Sequence, residues 1–275
     1  MKNAQEVLFG MGFDTPGIFG DDFLTSLEKY APSDEPVLIT GPSGTGKELV
    51  AEAIHKMSAR KGDFYPVLCP GLTPSLLESE LFGYVKGAFT GATQDKKGIF
   101  EKANDGTVFL DEIADLPLDL QARVLGVLNK GRFRPVGSAI EKKTGARVVA
   151  ATNKDLLARG DDKFRRDLYY RISVFPIKLN PLSEEIKKAH TSGMKVFIST
   201  ILSSIVPKTI KVSGEKELYP APVLLTDGAL RKLAQHSWPG NIRELQNVLK
   251  RAYWRNRGNN PKGVDDKPFL VLGEL

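Results

Sequence analysis

Two short segments carry the residue types and spacing of phosphoryl-transfer chemistry. The first is Gly41-Pro42-Ser43-Gly44-Thr45-Gly46-Lys47. Its glycines let backbone N–H groups turn inward onto phosphate oxygens. Lys47 adds a cation for the outer phosphates, and a helix starting there aims its N-terminus at the same anion. The next residue is Glu48, so the Ser or Thr hydroxyl that ligates Mg²⁺ in many such loops is missing and the metal must rely on other groups and water. The second segment, Thr107-Val108-Phe109-Leu110-Asp111-Glu112, is an apolar run ending in two carboxylates. Asp111 can hold Mg²⁺, directly or through water, and Glu112 can orient or deprotonate an attacking water. A Gly-rich turn and a surface acid pair are the plain alternatives. The motifs alone do not fix the base. Asn153-Lys154-Asp155 resembles a guanine-reading triplet with its acid one residue too early, which favours ATP.

For these segments to meet, they must lie on suitable elements. Pro36–Thr40, Tyr65–Cys69, Thr107–Asp111, Ala146–Ala151 and Val174–Leu179 are rich in Val, Ile, Leu or Phe and short, which predicts strands. Glu48–Ser58 predicts a helix, with Leu49, Val50, Ala53, Ile54 and Met57 on one face. Strands alternating with helices predict an α/β fold with a parallel sheet, whose ligands bind beyond the carboxyl ends of the strands. From Asn180 the pattern turns helical. Ser183 reads as the cap of one helix, Thr226 or Asp227 of another, and Asn241 opens a last helix with Ile242, Leu245, Leu249 and Ala252 inward. The expected organisation is an α/β nucleotide-binding domain over 1–179, a small helical domain over 180–257, and a tail over 258–275.

Composition narrows the function classes. The single cysteine, Cys69, excludes an internal disulfide, and His55, His190 and His236 are too scattered for a Cys/His metal site. No run of about 18 apolar residues occurs, and the N-terminus lacks a signal-peptide pattern, so a cytoplasmic location is expected. The net charge of +6 is spread among acids and bases, leaving DNA contact open without arguing for it.

Beyond these features, Gly87-Ala88-Phe89-Thr90-Gly91-Ala92 resembles the hexapeptide of bacterial sigma-54-dependent transcription activators, a family of AAA+ ATPases. Glu78 to Gly83 leads into it as in that family, and the loop Gly41 through Glu48 is similar to the family's, glutamate included. Asp111-Glu112-Ile113 matches the family's Mg²⁺ and water carboxylates. Ala151-Thr152-Asn153 resembles its first sensor, with Asn153 the phosphate-sensing residue. Phe164 to Arg171 resembles the segment bearing arginine fingers, Arg165 and Arg171. Trp238 to Leu245 resembles the second sensor, where Arg243 reaches nucleotide. The match runs from about Phe19 to Arg251.

The resemblance implies a P-loop AAA+ fold, a parallel sheet with helices on both faces followed by a helical lid. It implies ATP and Mg²⁺, and hydrolysis by Glu112 with Lys47. It also implies a homo-oligomeric ring, usually a hexamer and sometimes a heptamer, and a loop whose Phe89 and Thr90 engage the sigma-54 RNA polymerase holoenzyme to remodel the closed promoter complex. Local readings compete at several points. Phe89 can tuck into the protein's own core, the arginines can pair with Asp161, Asp162 or Asp167, Asn153 can cap a helix, and Arg243 can pair with Glu244 or Asn247. Residues 226–254 can also be read as a DNA-binding helix-turn-helix. An AAA+ remodeller of another protein and a non-hydrolysing ATP-dependent scaffold are the rival functions.

The chain departs from the family twice. Ser183-Glu184-Glu185 replaces an arginine-rich stretch at the start of the lid. Leu68 stands where the family commonly has an asparagine that hydrogen-bonds the catalytic glutamate. An aliphatic side chain makes no such bond, so Glu112 is expected to be less tightly restrained.

Overall fold

The computed structural model describes residues 4–11, 21–158, 163–189, 191–205, 209–212, 215–218, 224–225, 227–256 and 269–270. The chain divides into two compact units. One comprises Ser26–Gly41 and Val50–Leu179, and the other gathers Met1–Thr25, Pro42–Leu49 and Asn180–Leu275. The chain changes unit at Leu179–Asn180, where the sequence places the end of the α/β region. Met1–Thr25 and Pro42–Leu49, however, group with the C-terminal helices.

The first unit is built on β1 (Val37–Thr40), β2 (Phe64–Leu68), β5 (Thr107–Asp111), β8 (Arg147–Thr152) and β9 (Phe175–Lys178). These form one parallel sheet in the order β2-β5-β8-β1-β9. All five strands lie within a residue or two of the predicted runs. The order explains the composition. β5 and β8 are central and buried almost throughout, so Val108–Leu110 and Val148–Ala151 read as unbroken apolar runs between polar ends. Pro66 and Pro176 lack an N–H and sit in the two edge strands, where a ladder donor can be spared.

On one face, Leu38, Val67, Val108, Leu110, Val148 and Ala150 pack against four helices, α4 (Pro74–Phe82), α5 (Ile99–Lys102), α6 (Leu118–Lys130) and α7 (Arg166–Ile172). On the other face, α3 (Lys47–Met57) meets β5 through His55, whose Nδ1 lies 2.9 Å from Thr107 Oγ1. Burial holds this imidazole below its ordinary pKa, and the nearby Arg60 adds to the effect. Two short antiparallel ladders complete the unit, β3 (Gly83–Tyr84) with β4 (Lys96–Lys97) and β6 (Arg132–Phe133) with β7 (Lys142–Lys143).

A buried arginine locks the start of β8 to the preceding chain. The Arg147 guanidinium donates to the carbonyls of Tyr30, Ala31 and Glu35 at 2.7, 2.7 and 3.0 Å. Burial and the neighbouring Arg60 push its pKa down to about 10, so it stays charged at neutral pH. Arg147→Met would leave three carbonyls without their charged donor. Hydrogen bonds to charged groups contribute about 1.5–3 kcal/mol each, and not additively. The variant should therefore lose about 3 kcal/mol or more, read as a lower urea midpoint at unchanged m-value. A midpoint equal to the parent's would show that the bonds add nothing net.

The second unit contains α1 (Ala4–Gly10), the first residues of α2 (Asp21–Tyr30), the loop from Pro42 with the first turn of α3, and the C-terminal helices. Those are α8 (Leu182–Lys188), α9 (Thr191–Ile205), α10 (Asp227–Gln235) and α11 (Asn241–Asn256). Small ladders pair β10 (Thr209–Val212) with β11 (Glu215–Leu218), and β12 (Leu224–Leu225) with β13 (Phe269–Leu270). The expected tail over 258–275 lies outside the described residues except for β13. Ser183 is not the cap of α8: the helix begins one residue earlier with Pro181 at the cap, and Leu182 N–H donates to Asn241 Oδ1 at 2.8 Å. Thr226 lies outside the described residues. Ile242, Leu245 and Leu249 are buried as expected, while Ala252 is half-buried. Among the described residues no helix is long and apolar enough to cross a membrane.

Candidate functional site

The phosphate loop belongs to the second unit. Thr45 Oγ1 donates to Pro42 O at 2.8 Å, and the buried Lys47 Nζ lies 3.3 Å from the same carbonyl. These bonds fold the loop back on itself. Glu48 points to solvent. The backbone N–H groups of Gly44, Thr45 and Gly46 have no protein acceptor among the described residues, and unsatisfied amides at a helix N-terminus suit an anion.

The turn Ser43–Gly44 is held by the start of α11. Ile242 N–H donates to Gly44 O at 3.0 Å, Asn241 Nδ2 donates to Ser43 O at 2.9 Å, and Arg243 approaches Ser43 Oγ at 3.4 Å. Gly44 has φ +79, and a Cβ there would fall 2.5 Å from Gly240 O, so only glycine fits. Arg243 therefore sits beside the loop whose amides lack protein acceptors among the described residues. Glu244 instead accepts from Gly240 N–H at 2.8 Å.

The carboxylates belong to the first unit. Asp111 ends β5, and Glu112 follows at φ 51, ψ 50, a left-handed conformation that costs a non-glycine residue roughly 1–2 kcal/mol. Glu112 N–H donates to Asp111 Oδ1 at 3.0 Å, and Glu112 Oε2 accepts from the backbone N–H of Asn153 at 3.2 Å. Asn153 follows β8, the strand beside β5 in the sheet, which explains why the two can meet. The sequence offered no restraint for Glu112, but this amide supplies one. Leu68 is paired in register with Asp111 and is 57% exposed. Neighbouring Cys69 is buried, and its thiol is pushed up to about 12 by burial and the nearby Asp111, Asp115 and Glu112 charges, so it is inert at neutral pH. The carboxylate of Asp111 is an oxygen donor that fits Mg²⁺, which in phosphoryl-transfer sites takes one or two carboxylates and fills the rest with phosphate and water.

The two arginines differ in setting. Arg165 is exposed at the cap of α7 and makes a two-pronged pair with Asp167, at 3.1 and 2.8 Å. That bond raises the Arg165 pKa and lowers that of Asp167. The backbone of Arg165 is anchored through the fully buried Gln121, whose Oε1 accepts its N–H at 2.8 Å. Gln121 Nε2 also donates to Leu116 O and Lys163 O, a positioning role that sequence gave no reason to expect. Arg171 donates from Nη2 to Leu128 O at 2.8 Å, and its Nε is buried with no hydrogen-bond partner among the described residues. Asp161 and Asp162 lie outside the described residues.

The β3–β4 ladder carries the Gly87–Ala92 hexapeptide. Gly87 N–H donates to Ala92 O and Ala92 N–H to Phe89 O, closing a tight bend. Phe89 is 47% exposed, leaning edge-on against Tyr84 with ring centroids 5.0 Å apart, and Thr90 is exposed beside it. Phe89 is thus not a core residue. A second loop, between β6 and β7, flanks it: Val85 N–H donates to Val136 O, Val136 N–H donates to Gly83 O, and Ile140 in that loop is 75% exposed. Two-residue ladders carry too little periodicity for sequence to announce this neighbour.

Residues 20–178 match the Sigma-54 interaction domain family, and residues 211–262 match the AAA+ ATPase lid domain family. The second match assigns the helices over 226–254 to a lid rather than a DNA-binding helix-turn-helix. The DNA-binding transcriptional activator HyfR of Escherichia coli K12 is 41% identical over 248 residues, covering 87% of this chain and 34% of HyfR. The Nif-specific regulatory protein of Azotobacter vinelandii is 43% identical over 228 residues, covering 82% and 41%. The crystal structure of NtrX from Brucella abortus in complex with ADP aligns with a TM-score of 0.72 at 32% identity, covering 92% of this chain and 52% of NtrX. The RuvB Holliday junction branch migration motor of Thermotoga maritima, with a TM-score of 0.56 and 14% identity over 92% of this chain and 66% of RuvB, shares the fold alone. The chain spans between about a third and a half of the length of such activators. With its parallel five-stranded sheet, phosphate loop and lid, the chain belongs to the sigma-54 interaction domain family of AAA+ transcription activators.

Proposed function

We propose that this chain is an ATP-hydrolysing ring motor, active in the cytoplasm, that engages sigma-54 through Phe89 and Thr90 and remodels the closed promoter complex. The observation that carries the hydrolytic part is the placement of Glu112: it follows a buried strand, with a left-handed backbone and its carboxylate held by the Asn153 amide. Strain of this kind concentrates at functional sites. Lys47 and the amides of Gly44, Thr45 and Gly46 bind the phosphates, and Arg243 senses them from the lid. Asp111 holds Mg²⁺, which when bound neutralises charge on the phosphate oxygens. Glu112 accepts a proton from water as the water oxygen forms its bond to the γ-phosphorus. The bond from γ-phosphorus to the bridging oxygen breaks, and ADP leaves with that electron pair. Arg165 and Arg171 of a neighbouring protomer stabilise the developing charge. Asn153 acts as the phosphate sensor; its backbone amide holds the Glu112 carboxylate and the residue is exposed at the strand end.

The half-exposed Phe89 supports the choice of partner loop, since an apolar side chain on a loop tip is most readily explained by a partner that covers it. Sigma-54 binding across nucleotide states, with a transition-state mimic included, tests this reading. Binding confined to the mimic supports it. Binding in no state, with phosphate release intact, would leave a remodeller of another protein, and no phosphate release at all would leave a scaffold.

Phe89→Ala should keep ATPase activity and lose sigma-54 binding and open-complex formation. A half-exposed ring contributes about 1 kcal/mol of burial, so its removal should lower the melting temperature only slightly. A variant that loses ATPase and fold together would place Phe89 in the core after all.

A further inference from the structure

We propose that Asn241 is a positioning residue that ties the phosphate loop to the first turn of the lid, so that phosphate binding and lid order are coupled. The inference rests on the nucleotide-binding reading above and adds a residue to it.

Asn241 is buried, and its carboxamide bridges two segments distant in sequence. Oδ1 accepts from Leu182 N–H at 2.8 Å, at the start of α8, and Nδ2 donates to Ser43 O at 2.9 Å, in the phosphate loop. The task calls for an acceptor on one side and a donor on the other, which a carboxamide provides and a carboxylate or hydrocarbon does not. The two partners fix which side-chain atom is oxygen and which is nitrogen. The backbone sits at φ 53, a region that asparagine tolerates better than most residues. Trp238, whose ring packs at a tilt against His236 and donates from Nε1 to Leu233 O, is also at positive φ, and its carbonyl accepts from Asn241 N–H at 2.8 Å. The bend before α11 is therefore rigidly built, and it delivers Asn241, Ile242 and Arg243 to the same two loop residues.

The functional consequence follows from which groups are used. Asn241 and Ile242 take the carbonyl oxygens of Ser43 and Gly44. Carbonyls drawn toward the lid leave the loop's N–H groups to the phosphates, because successive amides in such a nest point to the concave side. Loss of the Ser43 bond would loosen the loop and free α8 from it in one step.

The discriminating variant is Asn241→Asp. It keeps an acceptor for Leu182 N–H and sets an oxygen against Ser43 O, so it cuts the loop arm alone. Asn241→Gly, which tolerates φ 53, cuts both arms and serves if the aspartate variant does not fold. ADP and a non-hydrolysable ATP analogue, each with Mg²⁺, are titrated into the 275-residue chain, and hydrogen exchange is followed in α8 and α11. The parent should bind nucleotide and show slower exchange in both helices on saturation. The variants should bind about tenfold more weakly, the effect of one lost hydrogen bond with its partner left unmet. At saturating nucleotide they should protect the loop but no longer slow α8. A parent whose α8 exchange ignores nucleotide overturns the inference, as does a folded variant with parental affinity and exchange. A parent that binds no nucleotide overturns the functional reading itself, which separates the two failures.

Discussion

Glu112→Gln is expected to bind ATP as the parent does and to hydrolyse it about 10²–10⁴-fold more slowly, the usual contribution of a positioned general base. The substitution is close to isosteric. The amide oxygen of glutamine can still accept from Asn153 N–H, the bond that now holds Oε2 at 3.2 Å, so the geometry of the strand end should survive. What is lost is the capacity to take a proton from water, since a neutral amide is no base at neutral pH. Lys47→Ala differs in kind, because it removes a buried cation from the Gly-rich loop and should weaken binding itself. Nucleotide affinity and single-turnover phosphate release, measured on both variants, separate the two roles. Turnover by Glu112→Gln at the parental rate would remove Glu112 from the chemistry and move attention to Asp111 or Asp115.

The parts of this molecule that sequence made legible are those governed by local composition. β5 and β8 sit centrally and are buried almost throughout, so their middle residues, Val108–Leu110 and Val148–Ala151, had to be apolar in succession. The Gly41–Lys47 loop was legible as a turn because Gly41, Gly44 and Gly46 take the positive φ its bends require. What sequence hid depends on bonds between distant residues. The restraint on Glu112 is a backbone amide, and every residue but proline has one, so no letter of the sequence marks it. The beginning of α8 is set by Asn241, 59 residues away, which is why the nearer Ser183 looked like the better cap. The positioning of Arg165 by Gln121 spans 44 residues. The loop beside the hexapeptide rests on ladders of two residues, too short for any alternation to show. In each case the hidden feature is a polar contact that tertiary structure creates, whereas the visible ones are periodicities that burial imposes.

Arg165→Ala is expected to lower turnover by about 10³–10⁵-fold, the range for an arginine finger in related phosphoryl transfer, while the nucleotide affinity of the isolated protomer stays near the parent's. The structure makes Arg165 the cleaner of the two arginines to test. Its side chain is exposed and, among the described residues, is bound only to Asp167, two residues on in the same chain. Exposed pairs of this type contribute little to stability, so a phosphate can displace the aspartate at small cost and the alanine variant should fold normally. Arg171 is bonded to Leu128 O and partly enclosed, and its removal would mix a catalytic loss with a packing defect. If the finger acts in the neighbour's site, the loss can be complemented. In a ring with head-to-tail contacts, equimolar Arg165→Ala and Lys47→Ala protomers should form about a quarter of their interfaces with an intact lysine on one side and an intact arginine on the other. Two variants that are each nearly inactive should therefore recover measurable ATPase on mixing, greatest near equal proportions. Recovery at no ratio, with mixed assembly verified by tagged co-purification, would mean that each protomer completes its own site and that Arg165 serves only its ion pair with Asp167.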